Sequence, residues 1–310
     1  MKVSRRIIVQ IAAVAFLVVA AHPAAAGYSP GGAFRAPGYG ARAWGMGGAA
    51  IATVDDESAV YWNPGMMSFA AGSSLGASYI NLVPGATAHL SQMAYVRVLA
   101  KHDNDTSGRP IARHAVGAMY TNLRLGLQDG EGYDENVFRL AYAYSPDHLV
   151  TFAIAWDILA STSDIGGFTS RGTSVDGALR LSVTENTTFA MVARNAFSRY
   201  SYQDGADYRR EREIVLALAS KSLPYIALEG DLAWSHGGTS RLTLGAESDY
   251  LFDVLALRAG IASIRTGESR TVPYFGFGVH ISHLALHYNA SLDKEIAFSD
   301  THRFTVSVSF

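Results

Sequence analysis

The 310-residue chain contains no cysteine. This absence excludes a fold cross-linked by disulfides and a metal site built from thiolates. Charged residues make up 17% of the sequence, fewer than the roughly 25% of soluble domains. The net charge of −2 gives no basic surface for nucleic acid, which is therefore not an expected partner. Beyond the first 26 residues, no apolar run approaches the ~18 residues of a transmembrane helix.

The first 26 residues have the pattern of a secretory signal peptide. Arg5 and Arg6 form a basic start, residues 7–20 are largely apolar, and Ala24 and Ala26 supply small residues for cleavage. The alternative is a retained anchor helix, for which the apolar run is short. We therefore predict export and removal of residues 1–26.

Most of the remaining chain alternates between apolar and polar residues with a period of two, the pattern of β-strands. In the last such segment Phe304, Val306 and Val308 share one face, while Arg303 and Thr305 lie on the other. Fourteen segments of this kind can be counted. They lie near residues 73–82, 87–99, 112–124, 135–145, 148–159, 173–184, 187–198, 210–220, 224–235, 239–250, 253–264, 271–282, 283–292 and 302–310.

Segment lengths and connections both indicate a membrane barrel. Most segments have the length that a tilted strand needs to cross a bilayer. Short connections alternate with longer polar ones such as 160–172, 199–208 and 265–270. The connection near 100–111 is an exception, since it is long where the alternation calls for a short one. The alternative is a soluble β-sandwich with one wet face. We predict an all-β fold for residues 73–310, a fourteen-stranded antiparallel transmembrane β-barrel in the cell outer membrane, with its apolar face in contact with lipid.

Residues 27–72 precede the first strand and are predicted to form a hatch inside the lumen. The lumen of a fourteen-stranded barrel is intermediate in width. It is wider than that of an eight-stranded barrel, which its own side chains fill, and narrower than that of an open porin. Asp55 or Asp56 is expected to cap a short helix over 58–62, and Pro64 and Gly65 to turn the chain into the first strand. A metal site at residues 55–57 and a phosphate loop are weaker alternatives.

The segment "GARAWGMGGAAIATVDDESAVYWNPG", residues 40–65, resembles the N-terminal signature of the PorV/PorQ family, an outer-membrane branch of the FadL-like barrels. One departure is Gly65, where that family usually has Ala-Gly-Leu. The residues of the resulting hatch motif are Gly40, Arg42, Gly45, Gly47, Gly48, Asp55, Asp56, Trp62, Asn63 and Pro64. The resemblance implies a non-enzymatic component of protein secretion or surface attachment, with exported proteins as partners. The wider FadL relationship implies instead uptake of hydrophobic small molecules, such as long-chain fatty acids or aromatic hydrocarbons.

An uptake protein would need an apolar pocket next to the hatch. The candidate residues are Trp44, Met46, Trp62, Met66, Met67 and Phe69. The alternative is that these side chains only pack the hatch against the wall. His280 and His287 could form a metal pair, but hydrogen bonding in a polar lumen is the commoner role, so no metal, cofactor or enzyme activity is predicted. Phe310 ends the last strand, as terminal aromatics do in outer-membrane proteins, and is predicted to be read by the barrel-assembly machinery.

Overall fold

The structure is a computed structural model that describes residues 38–82, 88–104, 110–126, 131–203, 205, 207–248, 251–252, 254–292 and 300–310. The predicted signal peptide, residues 1–26, and the first part of the predicted hatch, residues 27–37, lie outside this described part. None of the helices within it has the length and apolarity needed to cross a membrane.

Fifteen strands form one antiparallel sheet. They are β1 Ser73–Asn81, β2 Ala88–Asn104, β3 Pro110–Gly126, β4 Gly132–Tyr144, β5 Val150–Ser163, β6 Thr169–Thr184, β7 Thr187–Tyr202, β8 Asp207–Tyr208, β9 Glu213–Leu223, β10 Ile226–Ser235, β11 Ser240–Ser248, β12 Leu255–Thr266, β13 Glu268–Ile281, β14 Leu284–Leu292 and β15 Asp300–Ser309. The two-residue β8 pairs only with β7, while the other fourteen form a ring that β1 and β15 close. The predicted fourteen-stranded antiparallel β-barrel is confirmed.

Burial alternates along the strands as the sequence pattern predicts. On β4, Phe138, Leu140 and Tyr142 are exposed, while Arg139 and Ala141 between them are buried. The same alternation on the other strands leaves a barrel exterior of large apolar side chains. The charged side chains of Glu135 and Arg139 on β4 and of Asp157 on β5 are buried and point inward instead. A surface of this kind suits contact with hydrocarbon rather than water.

Two connections were predicted as long loops, and both predictions are wrong. In each case the strands continue beyond the residues that alternate between apolar and polar. The predicted loop 265–270 is a tight turn at Gly267, whose φ is 77°, with Thr266 paired to Glu268. The predicted long connection 100–111 consists largely of strand, since β2 continues to Asn104 and β3 begins at Pro110. Backbone hydrogen bonds continue beyond the apolar band, where side chains no longer alternate in polarity.

The pairing between β7 and β9 stops part of the way along β7. These strands pair from Thr187 opposite Ser220 to Arg194 opposite Glu213 and no further. At this point Asn195 adopts a φ of 52°, and its backbone N–H donates to Asp176 Oδ1 at 2.7 Å. The second half of β7 therefore leaves β9 and pairs on that side only with the short β8.

The N-terminal segment, residues 38–72, contains helix α1 Ala41–Gly45, helix α2 Ala59–Trp62 and a 3₁₀ helix Pro64–Phe69. The predicted aspartate cap is confirmed in part. Asp56 accepts from the backbone N–H of Ser58 at 2.9 Å, as a capping side chain does. The N-cap residue of α2 is however Ser58, which makes no side-chain cap bond. The predicted turn at Pro64 directly into β1 is wrong, since the 3₁₀ helix intervenes.

Candidate functional site

The N-terminal segment lies inside the ring of strands, in contact with inward-facing side chains from several sides of the wall. Its backbone is bound by strands that are far apart in the sheet. These contacts are Ala41 N to Thr305 Oγ1 of β15 (2.8 Å), Ala52 N to Glu229 Oε1 of β10 (2.7 Å), Gln92 Nε2 of β2 to Gly38 O (2.8 Å) and Arg139 Nη1 of β4 to Tyr61 O (3.4 Å). Such a distribution of contacts is met only by a segment in the lumen.

Inward-facing glycines of the wall let the segment approach the strands closely. A Cβ built on Gly260 of β12 would lie 2.3 Å from Met46 O, and one on Gly76 of β1 would lie 2.1 Å from Glu57 Oε1. At Gly260 the obstructed atoms belong to the backbone of the segment, so a side chain there would displace it, whereas at Gly76 the side chains of Glu57 and Tyr39 would have to move. The backbone of Gly47, with a φ of 73°, fits against β12 and β13 in the same way.

Arg42 joins the two acidic residues of the motif to the wall. Its Nη1 lies 2.6 Å from Asp55 Oδ1 and 2.7 Å from Asp56 Oδ2, and its Nε lies 3.1 Å from Glu247 Oε2 on β11. Arg258 of β12 completes the network, with its Nε 3.2 Å from the same Glu247 oxygen. Because Arg42 is partly buried, its charge and those of its partners stabilise one another in a medium where water screens them weakly.

Glu57 contacts the junction of the first and last wall strands. Its carboxylate accepts hydrogen bonds from Ser74 Oγ of β1 at 2.5 Å and Ser307 Oγ of β15 at 2.6 Å. Burial, with the nearby charge of Asp56 as a second cause, raises the pKa of Glu57 to about 7. Glu57 therefore changes charge near neutral pH at the place where the segment meets the barrel closure.

The remaining motif residues shape the segment itself. Asn63 donates to Ile51 O at 2.7 Å and accepts from the N–H of Gly65 at 2.9 Å, which ties α2 to the preceding turn. Pro64 opens the 3₁₀ helix as its first residue. Gly40 and Gly48 have φ values of 76° and 86°, in the region that favours glycine.

The six predicted pocket residues lie along the interface between the segment and the wall rather than around one space. Trp44 packs on Tyr274 and Trp62, with ring centroids 5.6 and 5.8 Å away. Met46 and Met67 are fully buried against wall glycines, and Met66 is also buried. Phe69 lies under the guanidinium of Arg180, 4.1 Å from its ring centroid.

Sequence reasoning missed a second buried ion network on the opposite side of the lumen. Arg139 of β4 pairs with Asp157 of β5 at 2.6 Å and with Asp176 of β6 at 2.5 Å. Arg210, which follows β8, also pairs with Asp157, at 2.9 Å. The guanidiniums of Arg139 and Arg194 lie over the ring of Tyr61, 5.8 and 4.9 Å from its centroid. The sequence signal that could have indicated this network is the presence of charged residues at inward-facing positions of consecutive strands.

A cavity of about 320 Å³ lies between the segment and the wall, at the barrel end that carries the short turns. Its lining includes Arg42, Asp55 and Glu247 of the first ion network, together with Lys221 and His283 near the turns. Of the six predicted pocket residues only Phe69 lines it. The cavity is thus a charged mouth rather than an apolar pocket.

His280 and His287, for which hydrogen bonding in a polar lumen was expected rather than metal binding, both line this cavity. His287 Nδ1 faces Arg258 Nη1 at 3.4 Å, an unfavourable neighbour for a bound cation. Within the described ranges, no three side chains of histidine, aspartate or glutamate are grouped so that they could hold a metal ion.

The barrel of fourteen strands around an inner N-terminal segment was compared with known proteins, and solved structures with a similar fold were found. No family model and no curated protein matches the sequence. The CymD monoaromatic hydrocarbon channel superimposes with a TM-score of 0.65 at 14% identity, over 90% of this chain and 99% of that one. A Pseudomonas aeruginosa FadL homologue gives 0.62 at 12% identity, over 87% and 98%. The Ralstonia pickettii toluene transporter TbuX gives 0.59 at 12%, over 89% and 98%. The chain therefore has the FadL-like barrel fold.

Proposed function

We propose that the protein is an outer-membrane channel that admits small hydrophobic molecules and that residues 27–72 are its hatch. The observation that carries this proposal is the hatch–wall contact pattern, in which β2, β4, β10 and β15 all bind the backbone of residues 38–61. A hatch bound on all sides prevents a wide lumen from leaking. Residues 38–72 contribute no strand to the wall, so this part of the hatch can also shift without breaking the sheet.

Two further observations support a membrane location and a non-enzymatic role. The exposed side chains of the wall strands are largely apolar, among them Phe138 on β4, Trp156 on β5 and Phe275 on β13, and the predicted signal peptide would direct export of the chain. The solved structures with this fold are named as hydrocarbon channels and toluene transporters. Outer-membrane lipid is then the direct partner of the exposed side chains.

Uptake into whole cells tests the proposal. The full chain is expressed in a strain that lacks other hydrocarbon channels, and the entry of labelled toluene, dodecanoate and a hydrophilic sugar is compared with that in cells carrying an empty vector. We expect faster entry of toluene or dodecanoate and unchanged entry of the sugar. Unchanged entry of both hydrophobic probes, at equal amounts of folded barrel, would refute the channel. Equally faster sugar entry would indicate an open porin.

A role in protein secretion or surface attachment, as in PorV/PorQ proteins, is the second candidate. The observation in its favour is that Arg42, Asp55 and Asp56 of the hatch motif lie at the charged mouth, where another protein could dock. Deletion of the gene followed by a census of surface-exposed proteins tests it. Loss of a set of exported proteins from the surface, with normal uptake of hydrophobic molecules, would favour this role.

We also propose that the side chain of Phe310 is read by the barrel-assembly machinery. Its backbone exchanges two hydrogen bonds with Ser73, of 2.8 and 2.9 Å, whereas its ring is 69% exposed. Phe310→Ala therefore keeps the closure bonds and removes only the ring. Less folded barrel in the outer membrane, with normal refolding of the purified variant in detergent, is the expected result; normal amounts in cells would contradict it.

A further inference from the structure

Two carboxylates of the wall are buried against the N-terminal segment. Glu229 and Asp231 lie two positions apart on the inward face of β10, and each is 3% exposed. Among the described residues, no cation lies within ion-pair distance of either carboxylate. The charge of Arg241 on β11 acts on Asp231, but the ion pair of Arg241 is with Glu213, at 3.7 Å. Adjacent buried negative charges are costly unless a positive charge or a proton compensates them.

One oxygen of each carboxylate holds the backbone of the segment. Glu229 Oε1 accepts from the N–H of Ala52 at 2.7 Å, and Asp231 Oδ2 accepts from the N–H of Ala50 at 3.3 Å. These two bonds fix residues 50–52 of the hatch to β10. They use only half of the carboxylate oxygens.

The remaining oxygens are available to a ligand. Glu229 Oε2 and Asp231 Oδ1 are buried and have no hydrogen-bond partner in the described part of the chain. The two carboxyl groups also contact each other. Ionised carboxylates only accept hydrogen bonds, so two of them in contact repel one another. A cation or a shared proton between them removes this repulsion.

A hydroxyl of the neighbouring strand supplies a third oxygen. Thr243 of β11 stands directly opposite Asp231, at a position where the side chains of two paired strands are about 5 Å apart. Thr243 is 1% exposed, and its Oγ1 has no hydrogen-bond partner within the described ranges. A buried hydroxyl of this kind is a separate indication of a ligand, because buried polar groups are nearly always satisfied.

The acid pair can be reached from the charged mouth. Thr53 of the hatch contacts Glu229 through its side chain and also lines the 320 Å³ cavity. Ala227, two positions before Glu229 on the same face of β10, lines the cavity as well. The same lining carries Asp55 and Glu247, and carboxylates at an entrance attract cations.

We propose that Glu229, Asp231 and Thr243 bind a divalent cation, Ca²⁺, between the hatch and β10. All three donors are oxygens, which Ca²⁺ prefers, and two carboxylates balance the charge of one divalent ion. Water and backbone carbonyls complete the shell of about 6–8 oxygens. Mg²⁺ fits less well, because it demands a regular octahedron that two fixed carboxylates and a threonine do not offer. The bound ion makes the attachment of residues 50–53 to the wall dependent on Ca²⁺.

Metal titration of the purified protein tests this proposal. The full chain in detergent is freed of metal with EDTA, dialysed, and titrated with CaCl₂ or MgCl₂ in a calorimeter. We expect one Ca²⁺ per chain, bound at least tenfold more tightly than Mg²⁺. Thermal unfolding should occur at a higher temperature with Ca²⁺ than with EDTA, since a ligand of the folded state stabilises it.

Matched variants locate the site. The double variant Glu229→Gln, Asp231→Asn should lose Ca²⁺ binding and the Ca²⁺-dependent rise in unfolding temperature. Thr243→Val keeps the shape of the side chain and both carboxylates, and should weaken Ca²⁺ binding severalfold in a barrel that folds normally. Glu131→Gln removes an exposed carboxylate ahead of β4 and should leave binding unchanged.

Two results would overturn the proposal. Absence of saturable Ca²⁺ binding by the unsubstituted protein would mean that the two carboxyl groups share a proton instead. Binding that survives both the double variant and Thr243→Val would place the ion elsewhere. Because the site does not depend on which molecules the channel admits, either result would leave the uptake of toluene or dodecanoate as a separate question.

Discussion

Gly260 of β12 lies so close to Met46 that a methyl group on Gly260 would stand 2.3 Å from the carbonyl oxygen of Met46. The obstructed atoms belong to backbone, which cannot rotate aside as a side-chain tip can. The wall and the N-terminal segment are therefore fitted to one another at this point.

Gly260→Ala should displace the hatch without unfolding the wall. Overpacking of a tight interface costs roughly 1–3 kcal/mol, and the least costly response is movement of the hatch. We expect faster hydrogen exchange over residues 41–54 and a higher channel conductance. Gly177→Ala is the control, because a Cβ there meets nothing within 4 Å. Equal hydrogen exchange and equal conductance in the two variants would show that the close approach at Gly260 does not hold the hatch in place.

Hatch docking should weaken as the pH rises toward neutrality because of Glu57. Its pKa is raised to about 7 in the folded protein, so its contribution to stability is full below the ordinary carboxyl pKa of about 4.5 and is lost as pH rises through 7. The free energy involved is on the order of 3 kcal/mol. Hydrogen exchange of residues 56–63, corrected for intrinsic rates, should show less protection at pH 8 than at pH 5.

Glu57→Gln provides the check on this pH dependence. The amide keeps the shape of the side chain near Ser74 and Ser307 but does not ionise. Protection in this variant should be nearly the same at pH 5 and pH 8. If its protection falls as much as that of the unsubstituted protein, another group is responsible.

Arg42→Gln should loosen the turn-end half of the hatch. The substitution leaves Asp55, Asp56 and Glu247 close together without the cation that joins them, and removal of one partner from a buried ion network costs on the order of 3 kcal/mol. Arg199→Gln breaks an exposed ion pair with Asp207, which water screens strongly, and should leave the stability nearly unchanged. Denaturant or thermal unfolding in detergent measures both; similar losses would mean that the Arg42 network is not central to docking.

The second half of β7 should exchange its amide hydrogens faster than the first. Residues 187–194 are bonded to strands on both sides, whereas residues 196–202 have β6 on one side and only β8 on the other. Peptide-level hydrogen exchange on the detergent-solubilised barrel measures both halves in one experiment. Equal protection would show that the residues after β8 seal the wall as well as a strand does.

The architecture could be read from the sequence because alternation of polarity is a local signal. Each of the fourteen predicted segments overlaps a wall strand, and the errors lie at strand ends, where polar residues continue the ladder outside the apolar band. The site could not be read in this way. Arg42 and Glu247 are 205 positions apart, and nothing local marks them as partners.

Removal of the hatch is the most direct test of its position. Deleting residues 27–70 spares every wall strand and keeps Gly72, whose carbonyl accepts the N–H of Val98 at 3.0 Å. The barrel should fold, since each wall strand keeps its neighbours, and inward carboxylates such as Glu229 and Asp231 would become hydrated. A fourteen-stranded lumen is wide enough for ions once it is emptied. In planar bilayers the intact protein should show little steady conductance and the deletion variant a large one. Equal conductance from two well-folded proteins would mean that the segment does not obstruct the lumen.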